Sequence, residues 1–447
     1  MAIGINNNPT KLNAAYTNLI YTVQSTKYAE PQFQYVMDIT SGSQILARIR
    51  QYPNPSGKAV FDPSDIIQNY LEYQDVDISQ FSGLADMTVG NSEASKQLQQ
   101  FTIKFGEEYG TSISSSVYLY DGRDVYGPPA VSSSVEPLQI FQAQVDYNDY
   151  WQATTEVGYN FFTGSRTVDT GEQFTFGYNK FLTYQPEFDS SIRTDDSIGI
   201  NYQDSGVVQA IVNQSPGDSI RIVTTGFNSS GGSTSGDTKV LSGLTFPTIL
   251  TVPISPVAQG WTESQFNSLD RFKITLANNA TPSSPFATFN IYKDLDACNY
   301  KRLSIQFINR LGAWDFYGFS LPSNESVRIE RDLYQKPFVD YSTPIGNSNF
   351  NTRRRGTTTY NTSRSKSYTF TTPYLSQKQA FHVEQIFDSP EVRILYPGGL
   401  NNSRFSAQPM PVVVRDGSYV KNTNSRGQKL FQYTFTFELS NNPQGRQ

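Results

Sequence analysis

Phe431-Gln432-Tyr433-Thr434-Phe435-Thr436-Phe437-Glu438-Leu439, near the C-terminus, sets apolar and polar side chains in strict alternation. Successive side chains of a strand point to opposite faces, so this stretch has one aromatic and one polar face. It predicts a strand lying on a core, its other side toward water or a partner.

The same alternation recurs upstream. Phe33, Tyr35, Met37 and Ile39 alternate with Gln34, Val36 and Asp38; Leu303, Ile305 and Phe307 alternate with Arg302, Ser304 and Gln306. Val117 to Tyr120 forms a short strand closed by the turn dipeptide Asp121-Gly122. Helical patterns are few. Asp62-Pro63-Ser64-Asp65 offers an N-cap, a proline at the first helical position and an acid behind it, followed by Ile66, Ile67, Tyr70 and Leu71. Thr262 to Gln265 and Ser376 to Gln379 match capping boxes, and Pro390 ends the second helix. The expected fold is mainly β: multi-domain β-sandwich or barrel-like modules with a few short helices.

Composition agrees. Of 447 residues, 14% are aromatic and only 17% charged, with 28 Tyr and 30 Phe, which suit pleated, half-buried surfaces. A net charge of −5 is too small to suggest a disordered chain, and a general nucleic-acid binder would be clearly basic instead. One cysteine, Cys298, excludes an intramolecular disulfide framework and a Cys-rich zinc site. No apolar run approaches the roughly 18–20 residues that span a bilayer, and the N-terminus has no secretory pattern, so synthesis in a host cytoplasm is expected.

Two stretches suggest boundaries. Tyr126 to Glu136 has the Pro/Ser composition of a linker, and Asn228 to Thr238, reading NSSGGSTSGDT, that of a flexible loop. The expected organisation is an N-terminal β domain over 1–125 and a middle β domain over 137–285 containing the 228–238 loop. A C-terminal β domain with one short helix follows over 286–447.

Candidate chemistry is sparse, and neither a catalytic site, a cofactor nor a metal is expected. His382 is the one histidine, placed in the predicted helix after Ser376 and read as packing on or near the surface. Cys298 reads as a buried structural thiol. Glu107-Glu108 and Asp195-Asp196 are neighbours, so in a strand each pair points to opposite faces and cannot straddle one glycosidic bond. Asp146 and Asp149 lie among aromatics, read as core rather than as a sugar cleft.

The charge pattern carries more. Between Asp340 and Glu384 no acid occurs, while Arg353, Arg354, Arg355, Arg364, Lys366 and Lys378 do. These residues make either a solvated hairpin or a basic face, and Arg353, Arg354, Arg355, Arg364 and Lys366 are the candidate assembly contact. Such a face would meet an acidic surface of a neighbouring subunit, or DNA in the lumen of a ring.

One further run stands out. Asp296-Ala297-Cys298-Asn299-Tyr300 leads to Phe307-Ile308-Asn309-Arg310-Leu311-Gly312-Ala313-Trp314-Asp315-Phe316. An acidic-cysteine stretch followed by a strand, Asn-Arg-Leu-Gly-Gly and an aromatic resembles virion structural proteins of tailed phages of Bacteroidetes, including crAss-like phages. Ala313 stands where the second glycine of that pattern falls. Phe33-Gln34-Tyr35-Val36-Met37-Asp38, Pro53-Asn54-Pro55, Gly106-Glu107-Glu108-Tyr109-Gly110, Ser389-Pro390-Glu391-Val392 and Pro411-Val412-Val413-Val414 are similar in the same order. The resemblance implies a tail or neck ring or barrel subunit in the virion, forming a homo-oligomer and contacting other tail or neck proteins. A receptor- or glycan-binding tail-tip module is the alternative. Physically, Asn309, Arg310, Leu311 and Gly312 read as a turn that returns Trp314 to the core.

Overall fold

The computed structural model describes residues 3–7, 12–16, 18–73, 97–110, 116–121, 138–141, 180–181, 198–200, 202, 206–212, 217–244, 248–283, 285–293, 303–309, 312–335, 339–340, 349–350, 356–375, 377–395, 409–415 and 431–440. The protein is mainly β, with multiple sheets and, among the described residues, three α-helices. Two compact units are present, each assembled from three chain segments. The first takes Met1–Glu187, Ile200–Lys293 and Ile308–Asp315; the second takes Phe188–Gly199, Asp294–Phe307 and Phe316–Gln447.

The first unit contains a sandwich. One sheet has the order β1 (Gly4–Asn7), β3 (Tyr21–Gln24), β6 (Lys58–Phe61). The other runs β2 (Leu12–Ala14), β9 (Leu138–Phe141), β7 (Leu98–Tyr109), β4 (Gln34–Ser41), β5 (Gln44–Gln51), with β8 (Ser116–Asp121) also paired to β7. Between the sheets Tyr21, Val23 and Phe61 meet Tyr35, Met37, Ile39, Phe101 and Phe105 in one cluster. The odd-numbered residues of β4 thus face the core, as their alternation requires. Val36 and Asp38, on the opposite face, are also buried, so β4 is covered on both sides. Burial on both faces makes Asp38 need a partner, and Arg48 of β5 supplies it.

Two further sheets have the orders β10 (Lys180–Phe181), β12 (Val207–Val212), β15 (Thr248–Pro253), and β11 (Ile198–Ile200), β17 (Pro285–Lys293), β16 (Arg271–Asn278), β13 (Ile220–Phe227), β14 (Ser233–Leu241). The Gly/Ser-rich stretch expected as a flexible loop over 228–238 is instead the hairpin between β13 and β14, and its second half is the edge strand β14. Asn228 organises the turn: its backbone N–H donates to the Gly232 carbonyl, and its Oδ1 accepts from the Gly232 N–H at 2.7 Å and the Ser230 hydroxyl at 2.9 Å. Composition suggested mobility, but an Asn side chain bonding its own turn, with Gly231 at φ +83°, specifies a hairpin.

The second unit is built on a seven-stranded sheet. Its order is β19 (Trp314–Phe319), β18 (Leu303–Ile308), β24 (Val392–Leu395), β25 (Met410–Val414), β26 (Thr434–Leu439), β23 (Thr357–Thr371), β20 (Asn324–Gln335). A two-residue pair, β21 (Val339–Asp340) with β22 (Asn349–Phe350), lies between β20 and β23 in sequence. The C-terminal alternation that decides the fold becomes β26 and its approach: Phe435 and Phe437 are fully buried, against Phe370 of β23.

The helices follow their caps. α1 (Ser64–Ile67) starts one residue later than its sequence suggests, with Pro63 as N-cap; Asp62 Oδ1 still accepts from the Ser64 and Leu19 N–H groups, both at 3.0 Å. α2 (Glu263–Ser268) has the complete Thr262–Gln265 capping box. α3 (Gln377–Asp388) lays Ala380, Val383 and Ile386 on the core of the second unit; Ser376, its expected cap, lies outside the described residues.

Candidate functional site

Among the described strands, β20 and β23 form the longest antiparallel pair. They pair antiparallel along their length, from Asn324 opposite Thr369 to Gln335 opposite Thr357. β26 supports β23 only from Ser367 to Thr371. Beyond that point, among the described residues, the sheet narrows to two strands. Residues Val327 to Gln335, at about 3.4 Å each, carry this ribbon roughly 30 Å past the sheet. Every residue of β20 is exposed.

The two faces of this arm differ. Residues directly opposite in an antiparallel pair share a face. One face carries Glu325 with Tyr368, Val327 with Lys366, Ile329 with Arg364, and Arg331 with Thr362. The other carries Ser326 with Ser367, Arg328 with Ser365, Glu330 with Ser363, and Asp332 with Asn361. The second face is saturated locally: Arg328 pairs with Glu330 at 2.6 Å, Ser326 bonds Ser367, and Asn361 bonds Asp332. The first face is apolar and basic. Val327 and Ile329 are 41% and 48% exposed, and Lys366 alone is neutralised, by Glu325 at 2.7 Å. Arg331 and Arg364 make no ion pair among the described residues.

The apolar-basic face continues the core face of the sheet. Tyr368 and Phe370, two and four residues after Lys366 on the same side of β23, belong to the core of the second unit with Phe435 and Phe437. The Lys366 ammonium lies 5.0 Å from the Tyr368 ring centroid, at the rim where core becomes arm. The core side of the sheet therefore runs outward uncovered. At the outer end a bulge shifts the register between Asp332 and Leu333, and Tyr334 packs edge-to-face on Tyr360 with centroids 6.0 Å apart.

Of the five residues expected to form an assembly contact, Arg364 and Lys366 share this face; Arg353, Arg354 and Arg355 lie outside the described residues. Lys378 falls on α3, away in sequence from the arm. Sequence reasoning missed Val327, Ile329 and Arg331, because β20 reads as a charged polar run. The signal available was the short alternation Val327, Ile329, Arg331 against Arg328, Glu330, Asp332.

Asn309, Gly312 and Trp314 are structural in a different way. The Asn309 N–H donates to the Ala313 carbonyl at 2.8 Å, its Oδ1 accepts from the Ala313 N–H at 3.0 Å, and its Nδ2 donates to Asp315 at 2.8 Å. Gly312 takes φ +75°, a left-handed conformation that side chains disfavour. The turn is then held from outside: Gln97 Nε2 donates to the Gly312 carbonyl, and the Trp314 N–H donates to Gln209 Oε1 at 2.9 Å. Trp314 is buried. Arg310 and Leu311 lie outside the described residues.

The residues weighed for chemistry are placed as follows. Glu107 is buried and accepts from Ser25 Oγ at 2.5 Å, while Glu108 on the opposite face meets Arg50 at 2.8 Å, so the pair does divide between faces. His382 is buried rather than near the surface, its Nε2 3.3 Å from the Phe316 carbonyl and its ring 5.4 Å from Phe307. Five consecutive residues, His382 to Ile386, are buried, so α3 is covered on more than one face, which its amphipathic pattern does not reveal. Cys298, Asp146, Asp149, Asp195 and Asp196 lie outside the described residues.

No family model matches the chain, and no curated protein matches it significantly. Among the described residues no helix is long and apolar enough to cross a membrane.

Proposed function

We propose that this protein is a structural subunit of a tailed-bacteriophage virion, a tail or neck ring or barrel component that joins its neighbours through β-rich contacts. The observation that carries the proposal is the two-stranded arm. A free ribbon of this kind is marginally stable in water, because neither face is covered. Ordering it costs roughly 1–2 kcal/mol per residue in backbone entropy, which a neighbouring surface offsets by burying both strands. Exposed apolar residues in one row, rimmed by cations, suit such an interface. The sequence resemblance to virion proteins of Bacteroidetes phages points the same way.

The test is direct. Peptide mass spectrometry of salt-washed phage particles is expected to find the chain at a copy number matching a tail or neck symmetry. A reconstruction of the particle should then place it in density. Absence from washed particles would overturn the proposal.

A further inference from the structure

We infer that the arm seats on the body of a second copy of this chain, apolar-basic face down, an arm-to-body rather than an arm-to-arm contact. The inference rests on the assembly reading above and adds its partner and its contact face.

Charge complementarity favours a second copy as the occupant. The apolar-basic face carries Arg331, Arg364 and Lys366 against Glu325, a net charge of +2. With −5 for the whole chain, all other residues sum to −7. A face of one sign on a chain of the other attracts the body of another copy and repels the same face of another arm. An arm-to-arm contact would bring Arg331 and Arg364 toward their own equivalents. The favoured contact therefore joins unlike patches, arm to body, a pairing open both to reciprocal exchange about a two-fold axis and to a head-to-tail series.

The contact face follows from continuity. Lys366, Tyr368 and Phe370 lie on one side of β23, and the inner two are already core. Seating that side on a neighbour extends the core outward by removing Val327 and Ile329 from water. The opposite face has no such residue: its Ser326, Ser363, Ser365 and Ser367 line up with an Arg328–Glu330 pair that is internally satisfied. Edge pairing is disfavoured too. β20 ends the sheet, and Glu325, Arg328, Glu330, Arg331 and Asp332 stud it with charges of both signs, the pattern by which exposed edges resist strand addition. Face burial remains.

The experiment compares two full-chain variants with the same loss of charge on opposite faces. Arg331→Ser/Arg364→Ser removes two cations from the apolar-basic face, and Ser363→Asp/Ser365→Asp adds two anions to the other. Circular dichroism checks that both fold. Light scattering across a concentration series is expected to show an oligomer for the native chain, assembly weakened by about tenfold or more for the first variant, and little change for the second. Raising salt from about 0.05 M to 0.5 M should weaken native assembly in the same direction. The first variant keeps an intact body, so mixed one to one with native chain it should cap growing assemblies and lower their mean mass.

Equal weakening by both variants would reduce the effect to net charge and overturn the face assignment. Native-sized assembly by the first variant would overturn the arm as the contact. Failure of the first variant to enter native assemblies would overturn the arm-to-body arrangement, and a native chain that stays monomeric at about 100 μM would overturn the second copy as occupant. None of these outcomes bears on whether the chain is found in particles, so the two proposals fail separately.

Discussion

Ile329 and Arg364 stand directly opposite one another across the arm, on a face whose inward continuation, Tyr368 and Phe370, is buried core. An apolar side chain beside a cation on the exposed extension of a core face is a surface arranged to be covered.

Covering should be visible in backbone protection. In the dissociated chain, amides of 327–335 and 357–366 are expected to exchange orders of magnitude faster than those of Ser367–Thr371, which β26 also supports. On assembly the arm amides should become protected while the rest of β23 changes little. Hydrogen exchange resolved by mass spectrometry measures this, and an arm equally protected in the monomer would contradict it.

Arg48 holds Asp38 bidentately, Nε to Oδ1 and Nη2 to Oδ2 both at 2.6 Å, across the β4–β5 pair. Asp38 is almost fully buried, whereas the Arg48 side chain is 34% exposed. Hydrogen bonding to the Asp38 carboxylate also raises the Arg48 pKa, so the guanidinium stays charged. Arg48→Ala leaves a buried carboxylate alone and is expected to destabilise by about 3 kcal/mol, the lower end of the usual 3–5 because water reaches the site. Replacing both residues by Leu should be milder than Arg48→Ala. Urea unfolding of the three variants checks the order.

Tyr35 ties two layers of the sandwich. Its hydroxyl donates to the Gly57 carbonyl at 2.6 Å and accepts from the Ser25 N–H at 2.8 Å. Burial pushes its pKa above the ordinary value of 10.0. The neutral phenol is therefore favoured in the folded state; this contribution is complete below about pH 10 and is lost as pH rises through the folded-state pKa. Tyr35→Phe strands two backbone groups and should cost about 1–3 kcal/mol at neutral pH. The same variant should flatten the stability loss at alkaline pH. An unchanged alkaline slope, followed by thermal unfolding, would assign that loss elsewhere.

Two glycines are predicted to resist substitution for different reasons. Gly312→Val forces a β-branched residue to φ +75° inside a buried turn, where left-handed backbone costs at least about 1–2 kcal/mol. Gly236 has an ordinary φ, but an added Cβ would lie 2.8 Å from the Trp261 ring and 3.1 Å from the Gln259 carbonyl. Gly236→Ala should cost about 1–3 kcal/mol through overpacking. Shortening the ring with Trp261→Leu should relieve the second variant and leave the first unaffected, which a double-variant comparison of midpoints would show.

The alternation of Phe431 to Leu439, of Phe33 to Ile39 and of Leu303 to Phe307 determined by itself that this chain is mainly β and which side chains enter its cores. Period two survives because it is a property of each strand alone. The Thr262–Gln265 box and the positive-φ turn at Gly312 were legible for the same reason, since a cap or turn is decided within a few residues. Which strands pair could not be read that way. That Ser304, Gln306 and Asp38 are buried, and that the Gly/Ser run at 228–238 is a hairpin, depends on residues far away in the chain. The arm shows the limit most clearly. Arg364 and Lys366 were visible as charges, but their face was not, because a face exists only once β20 and β23 pair in register. Val327, Ile329 and Arg331 joined that face through the same pairing, and only the tertiary structure left it uncovered.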